Sequence, residues 1–406
     1  MSYQNQMNIV HVKINVSFVL FMIENNLLIQ GVSRPVLLTG ATGIVGSHIM
    51  YELLWQRLMG MCTGQIYVLV RPGLLDAGSR VERLLSTTMT PSFLHSFAVA
   101  DMLRIITVIA CDFTQEDPSR ALSVIDEKEA LYVIHAAAST NLSPGAAAIA
   151  ENDTVNMQGS KRLLTACSHF CKRFVYISTA YSCGIRQGLI STDYSILENL
   201  LHRNPYEACK YETEVLLQSM CESNGVSLQI LRPGVVVSRM IDEPLLFMPR
   251  YNVIFAYAAF FYSLVQKGEQ VTIPIRVRPD ATMHLVPLDY VAKSIARLYT
   301  DETIEVCNIV PEEGYLIKPL IEEMLSEVGY EEYYFTDDLQ PADSSIARVY
   351  QTKVEASFGP YISDEPYRYD TRELQEIMHD VPLPHVPTHY RAMIAAAVKR
   401  QFISLL

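Results

Sequence analysis

The chain has 406 residues, half of them apolar, and a formal net charge of −12 at neutral pH. That length buries a large core and suits two lobes better than one. The acidic balance excludes a nucleic-acid partner, which needs a positive surface, and leaves open the binding of one small anionic molecule. None of the eight cysteines forms a Cys-x-x-Cys pair. Free thiols in a reducing cytoplasm are expected, with Cys167 and Cys171 packing from one helix face and no metal site.

The run Ile14–Ile23 is apolar, but Glu24, Asn25 and Asn26 interrupt it before it reaches membrane-spanning length, and no small-residue cleavage site follows. Residues 1–33 are therefore read as an extension packed on the globule, or against another chain. Next, the apolar strand Val36–Thr39 runs directly into three glycines spaced three apart, Gly40, Gly43 and Gly46. Gly40 permits a tight turn, Gly43 lets backbone approach a pyrophosphate, and Gly46 lets a helix pack closely on the strand. With Thr39, Thr42, Ile44 and Val45 they make a dinucleotide cradle at a helix N-terminus, where free N–H groups favour an anion.

Beyond it, Gln65–Val70, Leu103–Ile109, Ala130–Ala136, Arg173–Ile177 and Ser227–Leu231 read as strands, and Asp153–Phe170 and Pro205–Ser223 carry helical periodicity. Such alternation predicts an α/β fold, a Rossmann-type doubly wound parallel sheet covered on both faces. Arg71 follows the second strand where an acid would hold a ribose 2′-hydroxyl, so with Arg80 it suits a 2′-phosphate and NADPH. Asp112, beside Phe113, is placed to accept a hydrogen bond from an adenine amino group. Ala136, Ala137 and Ala138 keep the backbone slim near the cofactor, and Asn156, Pro233, Gly234 and Val236 complete the expected binding positions.

Tyr206 and Lys210 stand four apart on one helix face. A carbonyl reduction needs a proton donor, and a nearby ammonium is expected to bring the phenol toward working range. Ser178 or Thr179, at a strand C-terminus, adds a second hydroxyl for the same oxygen. After Gly234 the sequence turns aromatic and proline-rich. Phe255–Tyr262 reads as a buried helix, as pocket lining, or as both. The expected organisation is an NADP-binding domain over 34–240 that 288–310 rejoins, with a smaller, mostly helical substrate lobe from 241–287 and 311–406.

These motifs, in their order and over some two hundred residues, resemble the extended short-chain dehydrogenase/reductases. Val-Arg-Pro at 70–72, Ser-Thr-Ala-Tyr at 178–181 and Leu-Val-Pro-Leu-Asp-Tyr-Val-Ala at 285–292 look most like thioester reductase domains and fatty acyl-CoA reductases. Phe358-Gly359-Pro360-Tyr361 and Tyr369-Asp370-Thr371 resemble the C-terminal region of free-standing acyl reductases. The resemblance implies NADPH-dependent reduction of an acyl thioester to an aldehyde, and on to the alcohol in a second round. It implies Thr179, Tyr206 and Lys210 as the catalytic set, Ser178 being the lesser hydroxyl. No adenylation or carrier segment is recognisable, so the reading is a free-standing reductase receiving its thioester from coenzyme A or a separate carrier protein. Cys111, where the family has glycine before Asp112, departs from the pattern. Competing readings are a ketone or aldehyde reductase, a sugar-nucleotide epimerase or dehydratase, and an NADP-binding regulator without catalysis. An oligomer is compatible with all of them.

Overall fold

The computed structural model describes residues 32–86, 88–126, 130–193 and 200–405. The apolar run Ile14–Ile23 lies outside them. Seven strands form one sheet: β1 (Val36–Thr39), β2 (Ile66–Val70), β3 (Ile106–Ala110), β4 (Leu131–His135), β5 (Cys171–Ile177), β6 (Ser227–Pro233) and β7 (Val306–Ile309). Every pairing is parallel, in the order β7-β6-β5-β4-β1-β2-β3. The order reverses between β1 and β4, which opens a crevice at the strand C-termini where doubly wound sheets bind ligands.

Helices α1 (Ile44–Leu58), α2 (Ala77–Leu84) and α3 (Val99–Ile105) follow β1 and β2; α4 (Ala146–Asn152) and α5 (Gly159–Cys167) follow β4; α6 (Pro205–Asn224) follows β5. One sheet face packs on α1 through Ile49, Leu53 and Leu54, and the other on α5 and α6 through Leu163, Leu164 and Leu217, all fully buried. Burying both faces explains why the strands read as continuous apolar runs.

Three expectations change in detail. The third strand begins at Ile106, not Leu103, because Met102, Leu103 and Arg104 favour helix and extend α3 until the β-branched run Ile105–Ile109 takes over. The expected helix over 153–170 contains a π-helical stretch at Asp153–Gln158 and ends at Cys167, and Cys171 already belongs to β5. Cys167 and Cys171 thus share no helix face. Both are free thiols that share a hydrogen bond across the turn, and that contact, with burial, holds the Cys171 thiol well above the usual range.

The second lobe gathers α7 (Ile254–Lys267), α9 (Ile317–Val328) and α10 (Val386–Lys399), with α8 (Leu288–Leu298) returning to pack along α1. Helices predominate, joined by two-stranded sheets: Ile273–Arg276 with Tyr333–Thr336, and Thr282–Met283 with Tyr315–Leu316. The lobes interlace. Tyr367–Tyr369 pairs with Gly188–Ile190, and Leu374 and Met378, at and just beyond the helix Arg372–Ile377, enter the core of the first lobe. The aromatic run Phe255–Tyr262 lies in α7, whose Phe255, Tyr257 and Phe261 are buried in the second core.

Inside the first lobe, Glu214 of α6 and Arg232 of β6 form a fully buried ion pair, with Nη2 to Oε2 2.6 Å. Removing one partner strands a charge in the interior, so Arg232→Met is expected to cost about 3–5 kcal/mol, whereas Arg232→Met with Glu214→Leu costs less than the single change. Urea unfolding midpoints of the two variants check this.

Candidate active site

The glycine turn is built by close approach. Gly40 has φ +73°, and a Cβ there would lie 2.6 Å from the Ala137 nitrogen; a Cβ on Gly46 would lie 2.0 Å from the Gly40 carbonyl oxygen. Both positions are closed to any side chain. Gly43 differs, because its missing Cβ would meet only the Gly40 oxygen, at 3.2 Å. Its bareness serves what lies outside the fold. Gly43 caps α1 without a side-chain partner, leaving the first N–H groups of the helix directed at the crevice. A pyrophosphate fits this cradle.

Thr39, Ala137 and Asn156 act one layer below. The Thr39 hydroxyl accepts the Ala137 N–H at 3.2 Å, so its proton points to His135 Nδ1 at 2.7 Å; His135 Nε2 then donates to Ser160 at 2.9 Å, and Ser160 to the Asn156 carbonyl. Burial, reinforced by the Lys210 charge, pushes the His135 pKa down to about 3, so the ring is neutral and the chain of donors has one direction. Asn156 clamps the loop after β4 by taking the Ser139 N–H at 2.8 Å and returning a bond to its carbonyl at 3.1 Å.

At the end of β2, Arg71 is exposed, and Arg80 of α2 reaches back to donate to the Thr42 hydroxyl at 3.0 Å and to the Arg71 carbonyl. The Arg80 guanidinium therefore flanks the glycine turn, and Arg71 stands exposed directly after β2. Asp112 is partly committed, since Oδ1 accepts the Thr114 N–H at 3.1 Å and hydroxyl at 2.6 Å. Phe113 is buried against His135, edge to face at 5.6 Å, and against Gly159, where a Cβ would come within 3.0 Å of the ring. It supports the loop from within the core.

A cavity of about 310 Å³ runs from Gly43, Ile44, Val45 and Gly46 past Ala136, Ala138, Pro233, Gly234 and Val236 to Ser178, Thr179, Tyr206 and Lys210. Its far wall is Met248, Val253, Met283, Phe358 and Tyr361, with Arg250 and Asn252 as polar members. Met248 and Val253 precede α7, whereas Met283, Phe358 and Tyr361 follow it; no residue of that helix lines the cavity itself, and its Tyr257 backs the wall by packing edge to face on Phe358 at 5.5 Å. Val253 is held at φ 47°, a conformation costing a β-branched residue roughly 1–3 kcal/mol. A Cβ on Gly234 would lie 2.4 Å from the His284 carbonyl oxygen, so this glycine closes the seam between the lobes.

Tyr206 stands in the first turn of α6, behind Asn204 as N-cap and Pro205 at the first helical position. One turn on, the Lys210 ammonium donates to the Ile177 carbonyl at 2.7 Å and rests 4.0 Å from the centre of the Tyr176 ring. Burial lowers the Lys210 pKa to about 7. Tyr206 corrects an expectation: burial first and Glu207 second hold its phenol well above the ordinary value, and Lys210 does not bring it down. A lysine half-neutral near pH 7 supplies too little field to offset that desolvation.

Of the two hydroxyls after β5, Ser178 donates to Glu214, which also accepts Ser182 at 2.8 Å and the Arg232 guanidinium. Thr179 accepts the Tyr181 N–H at 3.3 Å. Sequence reasoning assigned no role to Glu214, Tyr176 or the wall residues Asn252, Val253 and Met283; Met248 and Arg250 fell within the aromatic, proline-rich stretch read as a second lobe with an apolar pocket. An arginine inside the apolar strand Ser227–Pro233 was the available signal for a buried counter-charge.

A seven-stranded doubly wound sheet with a glycine cradle at its switch point and a Tyr-x-x-x-Lys helix beside the fifth strand defines an extended short-chain dehydrogenase/reductase. The NAD-binding family model described as Male sterility protein matches residues 38–295, more than half of the chain, and the protein belongs to that family. A nicotinamide dinucleotide is thereby its cofactor class. The fold is similar to the terminal R domain of the myxalamid PKS-NRPS pathway, at TM-score 0.64 and 21% identity over 92% of this chain and 93% of that one. It is also similar to a thiolation-reductase di-domain from an archaeal non-ribosomal peptide synthetase, at 0.62 and 20% over 92% of each chain. UDP-glucuronic acid 4-epimerase from Bacillus cereus, in complex with NAD, shares it at 0.58 and 18%, over 90% of this chain and 98% of that one. In sequence, an uncharacterized UDP-glucose epimerase, YtcB, of Bacillus subtilis (strain 168) is 26% identical over 198 residues, 48% of this chain and 55% of that protein. The chain thus spans about half the length of this curated relative. Among the described residues, no helix is long and apolar enough to cross a membrane.

The buried lysine has a thermodynamic signature. Between pH 7 and its ordinary 10.5 the unfolded chain carries a proton on Lys210 that the folded chain lacks, so stability rises with pH across that window, and the penalty is full below pH 7. Lys210→Met removes this contribution. Its stability is expected to exceed that of wild type most at and below neutrality, with the gap closing toward pH 10; denaturant midpoints from pH 6 to 10 measure it.

Proposed function

We propose that the protein is an NADPH-dependent reductase of acyl thioesters, releasing an aldehyde. The observation that carries this reading is one cavity in which Thr179, Tyr206 and Lys210 share the lining with an apolar wall of Met248, Val253, Met283 and Phe358, a surface suited to an acyl chain. Arg71 and Arg80, beside the glycine turn, favour a 2′-phosphate and thus NADPH. NADPH, when bound, supplies the hydride; Gly43, Ile44, Val45, Ala136, Ala138, Pro233, Gly234 and Lys210 are the residues that would hold it.

In this mechanism Thr179 and Tyr206 hydrogen-bond to the thioester carbonyl oxygen from the C-terminal end of β5 and the first turn of α6. Burial keeps the Tyr206 phenol protonated at neutral pH, which is the state a donor must have. Negative charge developing on the oxygen is stabilised by both hydroxyls, and their placement before reaction lowers the barrier. Lys210, anchored on Ile177 and Tyr176, fixes the helix face that presents Tyr206. Collapse of the tetrahedral thiohemiacetal expels the thiol and leaves the aldehyde.

The thioester arrives on coenzyme A or on a carrier protein, and a cytoplasmic setting agrees with eight buried free cysteines. The second reading is a sugar-nucleotide epimerase, which the Bacillus subtilis relative favours. The apolar wall of Met248, Val253, Met283 and Phe358 and the paired arginines favour the reductase.

Incubation with NADPH and a panel of acyl-CoA and acyl-carrier thioesters is expected to yield aldehyde or alcohol, identified by mass. Turnover of ketones alone, or interconversion of UDP-sugars with NAD, overturns the reading. Tyr206→Phe is expected to lower kcat by about 10²–10⁴-fold and leave NADPH affinity nearly intact. Arg71→Ala with Arg80→Ala weakens NADPH by about 10–100-fold and leaves NADH nearly unchanged, read by nucleotide fluorescence titration.

A further inference from the structure

Arg203 precedes the catalytic helix by two residues, yet its side chain is 1% exposed. It is enclosed by three tyrosine rings, Tyr181 at 5.7 Å, Tyr361 at 5.6 Å and Tyr367 at 5.7 Å from the guanidinium carbon. Its nitrogens pair with two carboxylates from different lobes: Glu207 of α6 at 3.4 Å, and Asp364 of the second lobe. A further bond runs to the Gly184 carbonyl at 3.2 Å, in the turn that follows Thr179. Backbone bonds complete the frame, because Glu207 accepts the Arg203 N–H at 3.0 Å and Asn204 accepts the Glu207 N–H at 3.0 Å. The Asn204 amide then donates to the Tyr361 hydroxyl at 2.7 Å. Tyr361 and Tyr181 both line the cavity. One guanidinium thus touches the first turn of α6, the turn after β5 and the substrate wall.

We propose that Arg203 is a positioning residue that locks the Tyr206 turn of α6 to the second-lobe segment 361–367, so that the proton donor and the substrate wall are held in one frame. The inference rests on the reading of Tyr206 as donor. A planar five-donor fork suits the task, since it reaches two carboxylates and a carbonyl while stacking on aromatic faces, and a lysine cannot do all of these at once. The arrangement costs desolvation of three charges, one cation and two carboxylates, an expense that merely joining the lobes by apolar contact would avoid. Misplacing a reacting group by an ångström loses rate without losing affinity, which distinguishes positioning from binding.

The test compares Arg203→Met, Arg203→Lys and Tyr361→Phe, the last removing one hydroxyl and no charge. Activity is measured per folded protein on whichever of decanoyl-CoA and decanal the wild type reduces, NADPH binding by fluorescence, and amide exchange at 204–208 by mass spectrometry. Arg203→Met is expected to lower kcat by about tenfold to a hundredfold with KM and NADPH affinity within about twofold. Arg203→Lys recovers part of the rate, and exchange at 204–208 quickens in Arg203→Met and Tyr361→Phe. An unchanged kcat per folded molecule, or equal losses of kcat and NADPH affinity, overturns the assignment. Should Arg203→Met fail to fold, Tyr361→Phe decides by the same criteria. Should the wild type reduce neither compound, the proposed activity fails, and unchanged protection at 204–208 in Tyr361→Phe then overturns the clamp separately.

Discussion

Glu214 is the group on which the geometry of the active site depends. Its carboxylate lies in the interior, neutralised by Arg232 from β6, and takes the hydroxyls of Ser178 and Ser182 from the far end of β5. The polar contacts thus join α6, β5 and β6 at the point where the sheet meets the cavity. Ser178 is spent on Glu214, which supports the proposed use of the neighbouring Thr179 hydroxyl in the cavity. The two adjacent residues are distinguished by a charge seven residues beyond Glu207 on the same helix. Buried pairs of this kind contribute little net stability and a good deal of exclusivity, since alternative packings would strand a charge.

The same economy governs Lys210 and Tyr206. A lysine deep in the protein loses hydration that the Ile177 carbonyl and the Tyr176 ring only partly replace, and a phenol beside Glu207 is held in its protonated form. The site is therefore less stable than an apolar substitute would be. Val253, strained at the wall, adds to that cost. Regions that sacrifice stability for fixed chemistry are where function concentrates.

The Rossmann half was legible because its signals are local. Glycines at 40, 43 and 46, apolar strand runs and a Tyr/Lys pair four apart each follow from backbone geometry within a few residues. The structure even grades the glycines: a side chain at Gly40 or Gly46 would collide with backbone at 2.6 and 2.0 Å, whereas one at Gly43 would meet the Gly40 oxygen alone, at 3.2 Å. Boundaries failed where propensity and pattern conflict, as at Leu103, or where a π-helical stretch intervenes, as at Asp153–Gln158. The expected influence of Lys210 on Tyr206 was misjudged because spacing reports proximity and says nothing of desolvation. The cavity wall was legible only in fragments: Met248 and Arg250 fell in a stretch read as pocket-bearing and Phe358–Tyr361 in a motif of resemblance, with nothing to join them. Residues 248–253, 283 and 358–361 converge from segments without common periodicity, and only tertiary packing brings them together.

The interlaced boundary between the lobes has an evolutionary consequence. Tyr367–Tyr369 is hydrogen-bonded into the first lobe beside Gly188–Ile190, and Leu374 and Met378 help fill its core. The wall residues Phe358 and Tyr361 are consequently followed in the chain by two successive seams with the nucleotide-binding scaffold. A wholesale exchange of the C-terminal half between relatives would tear two seams and expose apolar surface at each. New substrate preferences in this lineage are accordingly better reached by point changes within the existing wall than by recombination of modules.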